Sequence, residues 1–341
     1  SNIKVNMTVA GPIKGEFKRS DAGWRSWVKN TPGAKFPPEQ GRYHLYCALA
    51  CPWAHRTLMV RSLKGLQGCI GLTIVHPTWQ KTREDPNDTH NGWIFGDPNG
   101  KALTNTSGLG GPFPAQFPDN DPDPNLGAKF IRDIYEYCED AVGTYSVPIL
   151  WDKKLKTIVS NESSEIIRMF NSEFNEFAKN PDLDLCPVEH RDDIDAINTI
   201  VYNDLNNGVY RCGFAKSQDA YDEAIGKLTS VFDLVDSILQ KQRFIVGNVF
   251  TEADIRLFVT LLRFDEVYGV YFKTNTRSVT HTPSILNYCR EIYQMPGVAK
   301  TVDMDQIKCH YYTSHPMYNH FSIVPAGSNF EDRLKEPRDN V

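Results

Sequence analysis

The stretch Leu45-Tyr46-Cys47-Ala48-Leu49-Ala50-Cys51-Pro52-Trp53-Ala54-His55-Arg56-Thr57 constrains the fold of this chain more than any other. It reads as a strand that runs into a cysteine, followed at once by proline and by a helix-compatible run ending near Lys64. Proline suits the first helical position, where its missing N–H would have had no partner, so Cys51 falls at a helix N-cap. Unpaired amides and the positive helix end favour a thiolate there, and cysteine pKa values at such places fall to roughly 3.5–7.5 from about 8.5. Cys51 is a candidate nucleophile; the plainer reading is an inert buried thiol.

The residue three places on narrows the chemistry. In a Cys-x-x-Cys redox motif it would be the second thiol that resolves a mixed disulfide, but here it is Ala54. An outside thiol must then complete a redox cycle, and glutathione is the obvious one in a reducing cell. A rival reading makes His44, Cys47, Cys51 and His55 a metal site. Their spacing is unusual for zinc and no second Cys-x-x-Cys or His-x-x-x-His pair accompanies it, so no metal is expected.

With 341 residues the chain is long for one domain, and two are expected. Its 40% hydrophobic and 23% charged residues, with a net charge of −5, describe a globular protein with an ample core. The weak acidity argues against a nucleic-acid partner. No apolar run reaches the length of a membrane span and no signal-peptide core opens the sequence. Eight cysteines without a regular framework fit reduced thiols. A cytoplasmic protein, free of membranes, is the expectation.

Residues 1–40 read as an irregular arm with Trp24 and Trp27 as docking points. Strands are expected at 42–48 and 72–76 around a helix at 52–65. Residues 77–125, full of Pro, Gly, Asn and Asp, form a loop too long to be a mere connection, a functional segment or lid. A helix at 125–139, strands at 146–152 and 157–160, and a helix from Ser163 complete an α/β domain over 41–178. From Val188 the period becomes helical, at 191–207, 217–240, 251–268, 284–294 and 297–310. Thr251-Glu252-Ala253-Asp254 opens the third of these like a capping box. An all-α domain over 188–312 follows, and then a surface tail over 313–341.

This order of elements, with several local motifs, resembles the cytosolic glutathione transferases and more narrowly their xi class, the glutathionyl-hydroquinone reductases. The motifs are Cys51-Pro52-Trp53-Ala54, Gly92-Trp93-Ile94-Phe95, Val147-Pro148, Glu162-Ser163, Asn206-Asn207-Gly208-Val209-Tyr210 and Ile307-Lys308-x-His310-Tyr311-Tyr312. The resemblance runs from about Trp24 to His315. It implies a thioredoxin-like N-terminal domain that binds glutathione as co-substrate and a helical domain that receives the second substrate.

By that resemblance Cys51 is the catalytic thiol. Pro148 follows a cis bond, and the Val147 main chain pairs with the cysteinyl unit of glutathione as an added strand. Alone, Val147-Pro148 is equally an edge strand that opens with proline. Glu162 meets the γ-glutamyl ammonium and Ser163, at a helix start, its carboxylate; without the resemblance Ser163 reads as a simple cap. Trp93 covers glutathione. Tyr210, Tyr268 and Tyr311 present phenols to the second substrate, with Tyr312 able to exchange with Tyr311. One departure stands out: the arginine common shortly before the proline is absent from Gly143-Thr144-Tyr145-Ser146, so another group must replace it.

The implied partners are glutathione and glutathionylated quinols, and the implied assembly is a homodimer built through the helical domain. The implied reaction removes glutathione from a glutathionyl-hydroquinone through a Cys51–glutathione disulfide. Two alternatives remain on the same residues. One is a general thiol transferase or dehydroascorbate reductase of the omega or glutaredoxin type, which needs neither the tyrosines nor the 77–125 loop. The other is a ligand-binding protein that keeps the fold without the chemistry.

Overall fold

The structure is a computed structural model that describes residues 13–140 and 143–338. The first twelve residues of the expected arm and the last three of the expected tail lie outside the described residues.

Strand β1 (Tyr43–Cys47) is buried at every position, which places it at the centre of a sheet covered on both faces. It pairs in parallel with β2 (Gly71–Ile74) through the crossover helix α1 (Pro52–Leu63). A small hairpin, β3 (Gln80–Lys81) with β4 (Asn91–Gly92), and helix α2 (Ile131–Tyr137) follow. Strands β5 (Ile149–Asp152) and β6 (Thr157–Ser160) then complete a mixed sheet in the order β2-β1-β5-β6, antiparallel beyond β1. Helix α3 (Ser163–Ser172) packs against α1. Nearly all of α1 is buried, including His55, Arg56 and Arg61. These polar residues are buried with the rest, since both α3 and the helical half pack against it.

The expected helix at 125–139 starts only at Ile131. Asp123 explains the delay: its carboxylate accepts the N–H groups of Asn125, Leu126 and Ala128, each at 3.0 Å, and so stabilises a turn where helix would otherwise begin. The 77–125 segment is fastened rather than free-standing. Asn120 Nδ2 donates to Gln306 Oε1 at 2.9 Å and Asn105 Nδ2 to Ser322 Oγ at 2.8 Å. A loop that crosses to the C-terminal half in this way is a strap and not a hinged lid. Trp24 docks as expected, with its indole N–H on Asp140 at 2.9 Å.

The helical half contains α4 (Arg191–Val201), α5 (Gly208–Gly213), α6 (Gln218–Leu239), α7 (Glu252–Arg263), α8 (Gly269–Tyr271), α9 (Pro283–Tyr293) and α10 (Met304–Thr313). Three expected continuous helices are interrupted: the one at 297–310 becomes a 3-10 turn at Ala299–Thr301 and α10, which starts only at Met304 after its N-cap Asp303. A π-turn at Tyr202–Asn206 separates α4 from α5, and another at Phe264–Tyr268 follows α7. The capping box of α7 is present: Thr251 Oγ1 accepts from the Ala253 N–H, and Asp254 accepts the Thr251 N–H at 2.8 Å. The tail is not wholly a surface coil, because α11 (Phe330–Lys335) buries Phe330 and Leu334.

Candidate active site

Cys51 caps α1 with extended backbone (φ −76°, ψ 117°), and Pro52 opens the helix. The bond between Val147 and Pro148 is cis, and the Cys51 thiol donates to the Val147 carbonyl at 3.6 Å. The depressed thiol pKa expected from the helix start does not follow. Burial pushes it above its ordinary value, against the N–H groups of Ala54 and Trp53 and the guanidinium groups of Arg263 and Arg19, which pull it down. Desolvation of a charge among apolar walls outweighs what a few amides and cations return. Cys51 itself is half-buried and opens onto a cavity of about 470 Å³.

A second cavity, of about 520 Å³, adjoins the first, and Arg19, Trp53 and Val147 line both. It is the polar one and contains Pro148, Glu162 and Ser163. Glu162, not Ser163, is the N-cap of α3: its carboxylate accepts the Ser164 N–H at 2.9 Å and the Ser164 hydroxyl at 2.7 Å. Ser163 is the first helical residue, buried, with its hydroxyl 3.5 Å from the Arg56 guanidinium. Arg56 also donates to Asn206 at 3.0 Å, and among the described residues its buried Nε–H has no partner. The missing arginine before Val147 thus has cationic neighbours: Arg19, Arg56 and Arg256 all line the polar cavity. Arg19 lies 4.8 Å from the ring centres of both Trp53 and Tyr210.

The first cavity is aromatic. Tyr210 and Tyr311 line it and share a 2.6 Å hydrogen bond. Tyr268, expected to face the second substrate, does not line it. It lies fully buried behind, 3.0 Å from the Tyr311 hydroxyl, because the π-turn carries it inward. Tyr312 is excluded from the cavity by its own bond to the Glu266 carbonyl at 2.9 Å. Burial holds the phenols of Tyr210, Tyr268 and Tyr311 above their ordinary pKa. Trp93 lines this aromatic cavity together with Cys51 and stacks on His310 with centroids 4.4 Å apart. Phe17, Trp79, Phe214 and His315, which carry no motif signal in the sequence, also line this cavity.

The metal reading finds no support in these contacts. His44 Nε2 pairs with Thr73 at 2.8 Å and His55 Nε2 with Thr301 at 2.8 Å, and among the described residues no His, Cys, Asp and Glu group suits a metal ion.

The chain matches the family models for the glutathione S-transferase N-terminal domain over residues 50–173 and C-terminal domain over residues 218–290. It is 40% identical to the glutathionyl-hydroquinone reductase YqjG of Escherichia coli, over 92% of this chain and 89% of that one. It is 39% identical to the glutathionyl-hydroquinone reductase PcpF of Sphingobium chlorophenolicum, over 92% and 90% of the two chains. The crystal structure of the glutathione S-transferase Xi from Phanerochaete chrysosporium superposes with a TM-score of 0.81 at 42% identity, covering 92% of this chain and 93% of that one. The chain belongs to the xi class of glutathione transferases. The glutathione-bound structure of E. coli YqjG matches this xi-class chain with a TM-score of 0.80 at 39% identity, over 92% and 95% of the two chains. Among the described residues of this transferase, no helix is long and apolar enough to cross a membrane.

Proposed function

We propose that this xi-class transferase is a glutathione-dependent reductase that removes glutathione from glutathionyl-hydroquinones. The observation that carries the reading is the meeting of a polar and an aromatic cavity at Val147, with Cys51 on the aromatic side and its thiol bonded to the Val147 carbonyl. A glutathionylated aromatic ring has those two chemistries joined at one sulfur. Glutathione occupies the polar side, its γ-glutamyl end at Glu162 and Ser163 and its cysteinyl main chain along Val147 and Pro148. The ring lies among Trp93, Tyr210 and Tyr311. Arg19, Arg56 and Arg256 supply the positive charge that the absent arginine would have given.

The ring must first become a good leaving group. Moving a hydroxyl proton to the sulfur-bearing carbon gives the keto tautomer. The Cys51 thiolate then attacks the glutathione sulfur; the S–S bond forms as the S–C bond breaks, and the electron pair passes to the ketone oxygen. Tyr210 and Tyr311 donate hydrogen bonds to that developing oxyanion, which takes up a proton to leave as hydroquinone. Attack by the thiolate of a second glutathione on the Cys51–glutathione disulfide regenerates Cys51 and releases oxidised glutathione. A homodimer is part of this proposal; exposed Val270, Met317, Phe321 and Ile323 offer apolar surface for one.

The test is turnover of a glutathionyl-hydroquinone with excess glutathione by the wild type and by Cys51→Ser. Rapid release of hydroquinone by the wild type alone is expected. Activity confined to a small glutathione mixed disulfide would replace the proposal with a general thiol transferase, and inactivity on both with a binding protein.

A further inference from the structure

We propose that Arg263 is a positioning residue for the nucleophile, a buried cation fixed beneath the Cys51 turn whose counter-charge is the Cys51 thiolate. The inference rests on the reading of Cys51 as nucleophile. Arg263 ends α7 in the helical half and is fully buried, yet it reaches across to the other domain. Its Nε donates to the Ala50 carbonyl at 2.9 Å and its Nη2 to the Leu49 carbonyl at 2.8 Å, the two residues directly before Cys51. Nη1 donates to the Val259 carbonyl at 2.6 Å. Both terminal nitrogens lie 3.2 Å from His55 Nδ1.

That histidine cannot supply a negative charge or a proton donor here. Thr301 Oγ1 gives its one proton to the Val298 carbonyl at 2.7 Å, so it must accept from His55 Nε2 at 2.8 Å. Nδ1 is therefore the lone-pair side of a neutral ring, and burial beside Arg263 keeps the ring neutral. All the arginine's bonds go to carbonyls and this imidazole, and among the described residues no carboxylate pairs with it. An unpaired buried charge is costly. Arginine cannot shed it, because its guanidinium does not deprotonate in proteins. The fold thus holds a positive charge that is balanced only when an anion forms nearby.

The anions of turnover form within its reach. Arg263 lowers the pKa of Cys51 and opposes the rise imposed by burial on Tyr268 and Tyr311. The other groups that act on or respond to the Cys51 charge are Arg19 and Arg56, both cationic, the Cys47 thiol and the Tyr210 phenol. None of these binds the backbone of the Cys51 turn as Arg263 does.

The experiment reads the pH dependence of iodoacetamide alkylation at Cys51 by intact mass, in the full chain, with Cys51→Ser as blank. His55→Glu places a carboxylate against Arg263 while the guanidinium keeps its carbonyl bonds; the thiol midpoint is expected to rise by about one pH unit, a roughly tenfold slower reaction below both midpoints. His55→Gln, a neutral acceptor, is expected to leave the midpoint in place. If His55→Glu does not fold, Arg263→Met is expected to raise the midpoint in the same way, and Arg263→Lys to hold it near the wild type. An unmoved midpoint in folded His55→Glu or Arg263→Met, or an equal rise in His55→Gln, would overturn the assignment. No hydroquinone enters the assay, so an error in the substrate leaves the outcome untouched.

Discussion

Single side chains set the division of labour at the site. Tyr311 stands between Tyr210 and Tyr268, bonded to both, and lines the cavity beside Cys51. Replacing Tyr311 or Tyr210 by phenylalanine removes a donor from the developing oxyanion but not from a disulfide, which develops no such charge. Glutathionyl-hydroquinone reduction should therefore slow by roughly tenfold to a hundredfold, while exchange with a small glutathione mixed disulfide changes less than threefold or so. Parallel steady-state assays of the two substrates decide it; equal losses in both would remove the tyrosines from the chemistry. Arg19 acts on binding and on the nucleophile. It comes from the arm, across the rings of Trp53 and Tyr210, lines both cavities and pulls the Cys51 pKa down. Arg19→Ala should raise the KM for glutathione severalfold and leave kcat nearly unchanged only above the Cys51 midpoint, where the thiolate is already formed.

At the scale of elements, α7 carries both stability and chemistry. Asp254 accepts hydrogen bonds from the Ile245 and Thr251 N–H groups at 2.9 and 2.8 Å and from the Tyr288 hydroxyl at 2.9 Å, all buried. Asp254→Ala orphans these donors together, and urea unfolding should show a loss of about 3 kcal/mol or more; a loss under about 1 kcal/mol would mean the helix start is held otherwise. This element also shows what a sequence can and cannot tell. The capping box, the strand-to-helix turn at Cys51 and the β5–β6 pair were legible because they depend on neighbours a few residues apart. Arg263 and Arg19 were not, since each meets the site only through contacts across the fold. The π-turns left no mark either: the apolar pattern continues through Tyr202–Asn206 and Phe264–Tyr268, and only packing turns Tyr268 inward. The N-cap at Glu162 left no mark, because a glutamate is not the side chain that usually suggests one, and Ser163 beside it is.

For the whole molecule, buried titratable groups set the response to acid. Burial lowers the pKa of His44, His310 and His315 to about 4, 3 and 4. In the unfolded chain each takes up a proton near 6.5, so their stabilising effect is complete above that pH and is lost as the pH falls towards 4. Asp254 works in the opposite sense. Burial raises its pKa to about 6, above about 3.9 in the unfolded chain, so it regains stability as the pH falls from 6 to 4. These histidines, joined by His55, which burial beside Arg263 also keeps neutral, outweigh one carboxyl, and the unfolding free energy should fall by at least about 4 kcal/mol between pH 7 and 5. Chemical denaturation at a series of pH values measures this, and a flat profile would show that these rings are hydrated in the fold.

The three linked phenols have a direction. Tyr268 is sealed from the cavity, and among the described residues its hydroxyl meets only other phenols of the chain. Its proton goes to one of its phenol neighbours, Tyr311 or Tyr210, since any other orientation would strand it in the interior at a cost of about 1–3 kcal/mol. The phenol that accepts it passes its own proton forward, to the third ring or to the cavity. The row is closed at one end and open at the other, like a queue that moves one way. Whichever phenol stands at the front offers hydrogen, so this wall holds a ketone oxygen more tightly as electrons gather on it.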